Sequence, residues 1–104
     1  MSRGPDAGTL LARALTASAA ESGCPIAIVA HDWTRWASAT FTGARHSLTL
    51  CGTASQALAD WVAALPEHDF AIRGHLIADL VVEHMAEDGD VGTIRLEVLS
   101  VEAR

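Results

Sequence analysis

Five histidines, two cysteines and a scatter of carboxylates are the residues of this chain that could do chemistry. Histidine ordinarily changes charge near neutral pH and serves as base, acid or metal ligand. His31, His46, His68, His75 and His84 show neither H-x-x-x-H nor H-E-x-x-H spacing. On a strand, His75 and Asp79 would stand about 13 Å apart, too far to share a metal whose ligands sit ~2 Å from it. No metal and no other cofactor is expected.

Cys51 and His31 are the residue types of a nucleophile and its base, but the expected pairing leaves a whole strand between them. That is about 9–10 Å, beyond hydrogen-bond reach. Two cysteines are too few for a disulfide framework, and Cys24 is expected at the far end of the strands from Cys51. Glu83 is expected opposite Arg95 as an ion pair, whereas Asp79 has no evident partner among Ile77, Val81, Leu99 and Val101. Glu87-Asp88-Gly89-Asp90 resembles half a calcium loop without its remaining ligands, and reads better as a turn. Two indoles and an imidazole, Trp33, Trp36 and His31, fall near one expected turn, where they could stack on an aromatic or apolar ligand. His31, Trp33, Trp36, His75 and Asp79 are therefore the candidate ligand-binding residues, and no residue is assigned a catalytic role.

These side chains need a scaffold, and the composition bounds it. The chain has 104 residues, half of them hydrophobic, with a net charge of −6. That length suits a single domain able to bury roughly two thirds of its unfolded surface. Concentrated positive charge, which phosphate contacts need, is missing, so nucleic acid is not an expected partner. No apolar run approaches the ~20 residues of a membrane helix. All seven basic residues are arginine; lysine, asparagine and tyrosine are absent and alanine occurs twenty times. That bias fits a GC-rich, bacterial genome. The absence of lysine removes amine nucleophiles. Arg13 breaks the only apolar stretch near the N-terminus, which argues against a signal peptide and for a cytoplasmic protein.

Residues 1–8 read as a flexible tail before a single domain over 9–104. A helix is predicted over 9–22, ended by Gly23. Three strands follow, over 26–31, 36–42 and 45–51, joined by a turn at 32–35 and a two-residue loop at Gly43-Ala44, where glycine comes first as in a type II′ turn. Both registers place Ile26, Ile28, Ala30, Ala37, Ala39, Phe41, Leu48 and Leu50 on one face. His46 then faces inward beside Phe41 and His84 lies at the inner rim beside Ile94, while His31 and His75 face outward. Thr53 and Gln56 form a capping box for a second helix ending near Leu65. It carries the apolar stripe Ala54, Leu58, Trp61, Val62 and Leu65. A long strand is predicted from Phe70 or Ile72 to Ala86, with Gly74 as a bulge or a close approach, and a returning strand over 92–102, with 82 opposite 96.

The predicted fold is α+β: a two-layer α-βββ-α-ββ arrangement with two helices on one face of a five-stranded, mostly antiparallel sheet. The first five elements resemble double-stranded-RNA-binding domains in their order alone. The lysines with which those domains grip phosphates are replaced here by Thr53-Ala-Ser-Gln56. The sheet face away from the helices reads unusually apolar, and such a patch marks an interface or a ligand groove. Val29, Ile77, Val81, Leu99 and Val101 are its expected interface residues, and a second copy of the chain is the simplest cover. A different protein partner fits the same face. The leading expectation is a homo-oligomeric interaction or regulatory module without catalytic activity. The alternative is a small-ligand-binding protein or enzyme at the Trp33/Trp36/His31 corner.

Overall fold

The computed structural model describes residues 6–70 and 72–102. In chain order the elements are α1 (Ala7–Glu21), β1 (Ile26–Ala37), β2 (Thr42–Thr53), α2 (Gln56–Ala64), a 3-10 turn (Leu65–Glu67), β3 (His75–Asp88) and β4 (Val91–Glu102). The class is α+β. The antiparallel sheet has four strands rather than the expected five, in the order β1-β2-β4-β3. The likeness to the RNA-binding order therefore lapses.

Helix α1 starts earlier than its apolar spacing implied. Asp6 caps it by accepting from the Thr9 amide at 2.8 Å, so the expected tail is already ordered at its last three residues. The rest of that tail, residues 1–5, lies outside the described residues. Leu11, Leu15, Ser18 and Ala19 recur at helical spacing and are buried. At the other end Gly23 has φ +77°, and the Gly23 and Cys24 amides donate to the Ala20 and Ala19 carbonyls. This paired closure is the Schellman motif.

The first hairpin differs most from the sequence reading. Residues 32–35 do not turn, and Gly43-Ala44 is not a loop. Instead β1 and β2 run twelve residues each and are joined at 38–41. There Ser38 donates its amide to the Phe41 carbonyl, and the Phe41 amide donates to Ser38 Oγ. Ala39 and Phe41 consequently lie in the connection and are exposed rather than inward, whereas Ala37, opposite Thr42, keeps the inner face but is exposed at its uncovered end. Gly43 pairs with Trp36 and Val101 inside the sheet and is not among the positive-φ glycines. What demands glycine is space: an added Cβ would stand 2.0 Å from the Ser100 carbonyl oxygen and 3.0 Å from the Trp36 ring. The tight two-residue loop lies in the second hairpin, at Gly89-Asp90, where Gly89 has φ +61°.

Three irregularities, all on edge strands, decide which side chains face the helices. The ladder skips Val29 in β1, and Ala78 and Glu83 in β3. An extra residue reverses the alternation beyond it. In β1 the inward set passes from Ile26 and Ile28 to His31, Trp33 and Arg35, so His31 is not outward and Ala30 not inward. In β3 it is His75, Ile77, Leu80, Val82 and Met85. Ile77, expected on the outer interface, packs against the core, and Leu76 takes the outer position. Leu80 and Val82 sit opposite Val98 and Leu96 as expected, but His84, not Glu83, stands opposite Arg95. His84 therefore faces away from Ile94.

Helix α2 is capped by Ser55, which accepts from the Leu58 amide, not by Thr53, the last residue of β2. Gln56 bonds forward to Asp60 instead of back to a cap. Pro66 converts the end of the helix into the 3-10 turn. Phe70 and Ile72 are buried but precede β3, whose entry is a turn with Gly74 at φ +81°. Leu11 and Leu15 of α1, Leu58, Trp61 and Val62 of α2 and inward Leu48, Leu50, Ile94, Leu96 and Val98 form one core. Trp61 Nε1 donates to Ser18 Oγ at 2.9 Å, which ties the helices together while satisfying a buried indole.

Candidate functional site

The inner face of the sheet changes chemistry along its length. Across the strands in the order β1-β2-β4-β3, one row is Ile28, Leu50, Ile94 and Met85. The next is His31, Leu48, Leu96 and Val82. Then come Trp33, His46, Val98 and Leu80, and Arg35, Ala44, Ser100 and Ile77. At the far end lie Thr42, Glu102 and His75, with Thr42 donating its hydroxyl to Glu102. The apolar rows lie under the helices. The polar end opens into a basin of about 500 Å³, lined by Asp6, Ala7 and Gly8 of α1 and by Trp33, Arg35, Gly43, Ala44, His46, His75, Ser100 and Glu102.

The first turn of α1 forms one wall. It can approach because Gly8 has no side chain: a Cβ there would lie 3.1 Å from the His31 ring and 3.3 Å from Trp33. His31 tilts against Trp33 with ring centroids 5.3 Å apart, and Trp33 remains 48% exposed.

Beneath the basin runs a line of polar side chains. His31 Nε2 lies 3.2 Å from His46 Nδ1, and His46 Nε2 lies 2.9 Å from Ser100 Oγ. Ser100 Oγ can also donate to the Ala44 carbonyl at 3.3 Å. His46 is fully buried and Ser100 nearly so. The line admits two proton arrangements. In one, Ser100 donates to His46 and His46 to His31. In the other, His31 donates to His46, His46 to Ser100 and Ser100 to Ala44. Burial, reinforced by the neighbouring imidazoles of His31 and His75, pulls the His46 pKa down to about 4, against a weaker pull from Asp6. Burial also lowers that of His31, opposed by Asp6 and Asp32. Asp6 is lowered chiefly by its hydrogen bonds from Thr9. Nδ1 of His75 is buried without a hydrogen-bond partner among the described residues.

Of the five expected ligand-binding residues, the structure brings His31, Trp33 and His75 to one end of the inner face. Trp36 and Asp79 lie on the opposite face, so the two tryptophans do not form a common corner. Trp36 covers Gly43 there, its Nε1 buried and without a partner among the described residues. His46 and Ser100 were missed as site residues. His46 was legible as an inward histidine on a central strand, and Ser100 as the polar end of the inward series Ile94, Leu96 and Val98. No group of three or more His, Cys, Asp or Glu among the described residues is placed to hold a metal ion. Both cysteines are free, Cys24 buried and Cys51 half-buried on the outer face.

Fold and site together define a two-layer α+β domain with a polar basin at one end of its helix-covered sheet face. Comparison with protein-family models, curated proteins and solved structures gives no match.

Proposed function

We propose that the protein binds a small ligand in this basin. One observation carries the reading: the inner face gives way to polar side chains where the helices stop covering it, and two of them, His46 and Ser100, are buried in the floor. A merely solvated end of a sheet would not bury a histidine at the expense of its charge. Trp33 offers an aromatic wall, while Arg35, His75 and the first-turn amides of α1 offer donors, so a ligand with a flat apolar part and an acceptor group fits best. Benzoate, benzamide and phenol are suitable probes, followed by Trp fluorescence and amide NMR shifts. Shifts confined to Trp33, Ala44, His75 and Ser100, and abolished when Ala44→Leu fills the basin, are expected. No saturable shift at millimolar probe, or shifts unaffected by Ala44→Leu, would refute the reading.

A second reading, self-association as an interaction module, is favoured by the uncovered face of the sheet. Trp36, Val101 and Leu76 share one row there, with Leu99 and Val81 in the next two. Leu76 and Val81 are exposed. The three bulges disrupt the edges for strand-to-strand addition, which leaves face-to-face packing of two copies, or of this chain with a different protein. Val81→Arg should shift a sedimenting dimer to the 10.9 kDa monomer. A wild-type chain that is already monomeric at high micromolar concentration excludes the homodimer. No helix among the described residues is long and apolar enough to cross a membrane.

A further inference from the structure

We propose that Ser100, His46 and His31 form a nucleophile, base and orienting group that transfer acyl groups from small activated esters bound in the basin. This rests on reading the basin as a ligand site. The geometry is that of an activated hydroxyl in the tautomer in which Ser100 donates to His46. Ser100 Oγ and His46 Nε2 are 2.9 Å apart, and the other nitrogen of the same ring is 3.2 Å from His31 Nε2. A nucleophile within hydrogen-bond reach of a base, with that base held by a third group, is the general signature of such a site. All three lie on the inner face, and both Ser100 and His46 line the basin.

The chemistry follows from the first of the two proton arrangements. Ser100 Oγ forms a bond to the ester carbonyl carbon while its proton passes to His46 Nε2, and the carbonyl π pair moves to oxygen. The His46 ring, now doubly protonated, keeps its Nδ1–H on the His31 Nε2 lone pair. Collapse restores the carbonyl and breaks the bond to the leaving oxygen, which takes the proton from His46 Nε2. Water then attacks the acyl-serine, giving its proton to His46, and Ser100 departs with that proton as the carboxylic acid is released. Ala7 and Gly8 line the same basin, and their first-turn amides, which have no acceptor within their helix, join Arg35 among the donors available to the developing oxyanion. The buried position of Ser100 restricts the acyl group to a small one. The weak basicity imposed on His46 by burial restricts the ester to one with a good leaving group. His31 acts through His46 and is a positioning residue.

The test is incubation of the full chain with p-nitrophenyl acetate, followed by nitrophenolate release and peptide mass mapping. Because the chain has no lysine, side-chain amine acylation contributes no background. The expected result is a burst stoichiometric with protein and an acetyl group on Ser100. The burst should vanish in Ser100→Ala and fall about 100-fold or more in His46→Leu. His31→Leu should slow acylation, whereas His31→Gln, whose amide oxygen can accept from His46, should recover most of the rate. A group with a purely structural role would not separate those two variants in this way. Wild-type mapping decides even where a variant fails to fold: acetylation only elsewhere, or none, overturns the relay. If benzoate still shifts the basin signals in that case, the ligand site stands without the chemistry. If it does not, both readings fall.

Discussion

A histidine held neutral by burial must destabilise the fold in acid, and His46 allows the size to be worked out. Its pKa is about 4 in the folded protein, against about 6.5 in an unfolded chain. Between those values the unfolded chain binds the proton and the folded one does not, so acid favours unfolding. The contribution is fully favourable above pH 6.5, is lost as pH falls, and levels off below pH 4. From pH 7 to pH 5 the loss is about 2 kcal/mol, and the full loss about 3 kcal/mol. His31, also lowered, adds in the same direction. Asp6, lowered by its cap bonds, acts only below the ordinary carboxylate range and does not enter this window. Urea denaturation at pH 7, 6 and 5 reads the loss directly, and the NMR titration of the His46 ring protons assigns it. His46→Asn, whatever its stability at pH 7, should show a shallower pH slope. Stability that stays constant from pH 7 to pH 5, or a His46 ring that titrates near 6.5, would refute the reasoning.

Three further outcomes test the packing. Trp61 is buried between the helices and bonded to Ser18, so Trp61→Ala should cost about 3–5 kcal/mol by chemical denaturation; a loss below 1 kcal/mol would mean that α2 is not anchored there. Ser18→Ala should cost about 1–3 kcal/mol by leaving the indole donor unpaired. Gly43→Ala drives a methyl into the Ser100 carbonyl and should cost about 1–3 kcal/mol or more, and should broaden the NMR signals of Ser100 and Trp36. A Gly43→Ala protein as stable as the wild type would remove the close approach.

The central strands were legible and the edge strands were not. β2 and β4 are each paired on both sides, so neither carries a bulge, and strict alternation places Leu48, Leu50, Ile94, Leu96 and Val98 inward. β1 and β3 are paired on one side only and are free to hold an extra residue. In Ile26-Ala-Ile-Val-Ala-His31 no glycine or proline marks the bulge at Val29, and every residue type suits either face. One unmarked residue therefore separates the expected outward His31 from the inward one observed, and Ala78 does the same for His75 and Ile77. The false hairpin had the same root. Gly43 carries the residue type of a turn but owes it to the Ser100 backbone and Trp36, whereas Ser38-Ala-Thr-Phe41, the true connection, contains no glycine or proline.

The position of the basin follows from lengths as much as from residue types. Twelve residues of strand span about 40 Å, whereas nine residues of α2 span only about 13 Å and fifteen of α1 about 22 Å. The helices cannot cover the whole inner face, and the molecule is accordingly elongated, 46 Å by 24 Å by 23 Å. An uncovered sheet end needs only solvent-tolerant side chains, and Arg35, Thr42 and Glu102 meet that need. His46 and Ser100 do not, because they are buried from water and hydrogen-bond mainly within the line they form. A leucine at 46, like that at 48, would extend the core without the acid sensitivity that His46 brings. The bulge at Val29 then turns His31 inward to meet it, on an edge strand where regular pairing would have turned it out. Solvation of an exposed end asks for neither feature, and it is on their coincidence that the proposed ligand site rests.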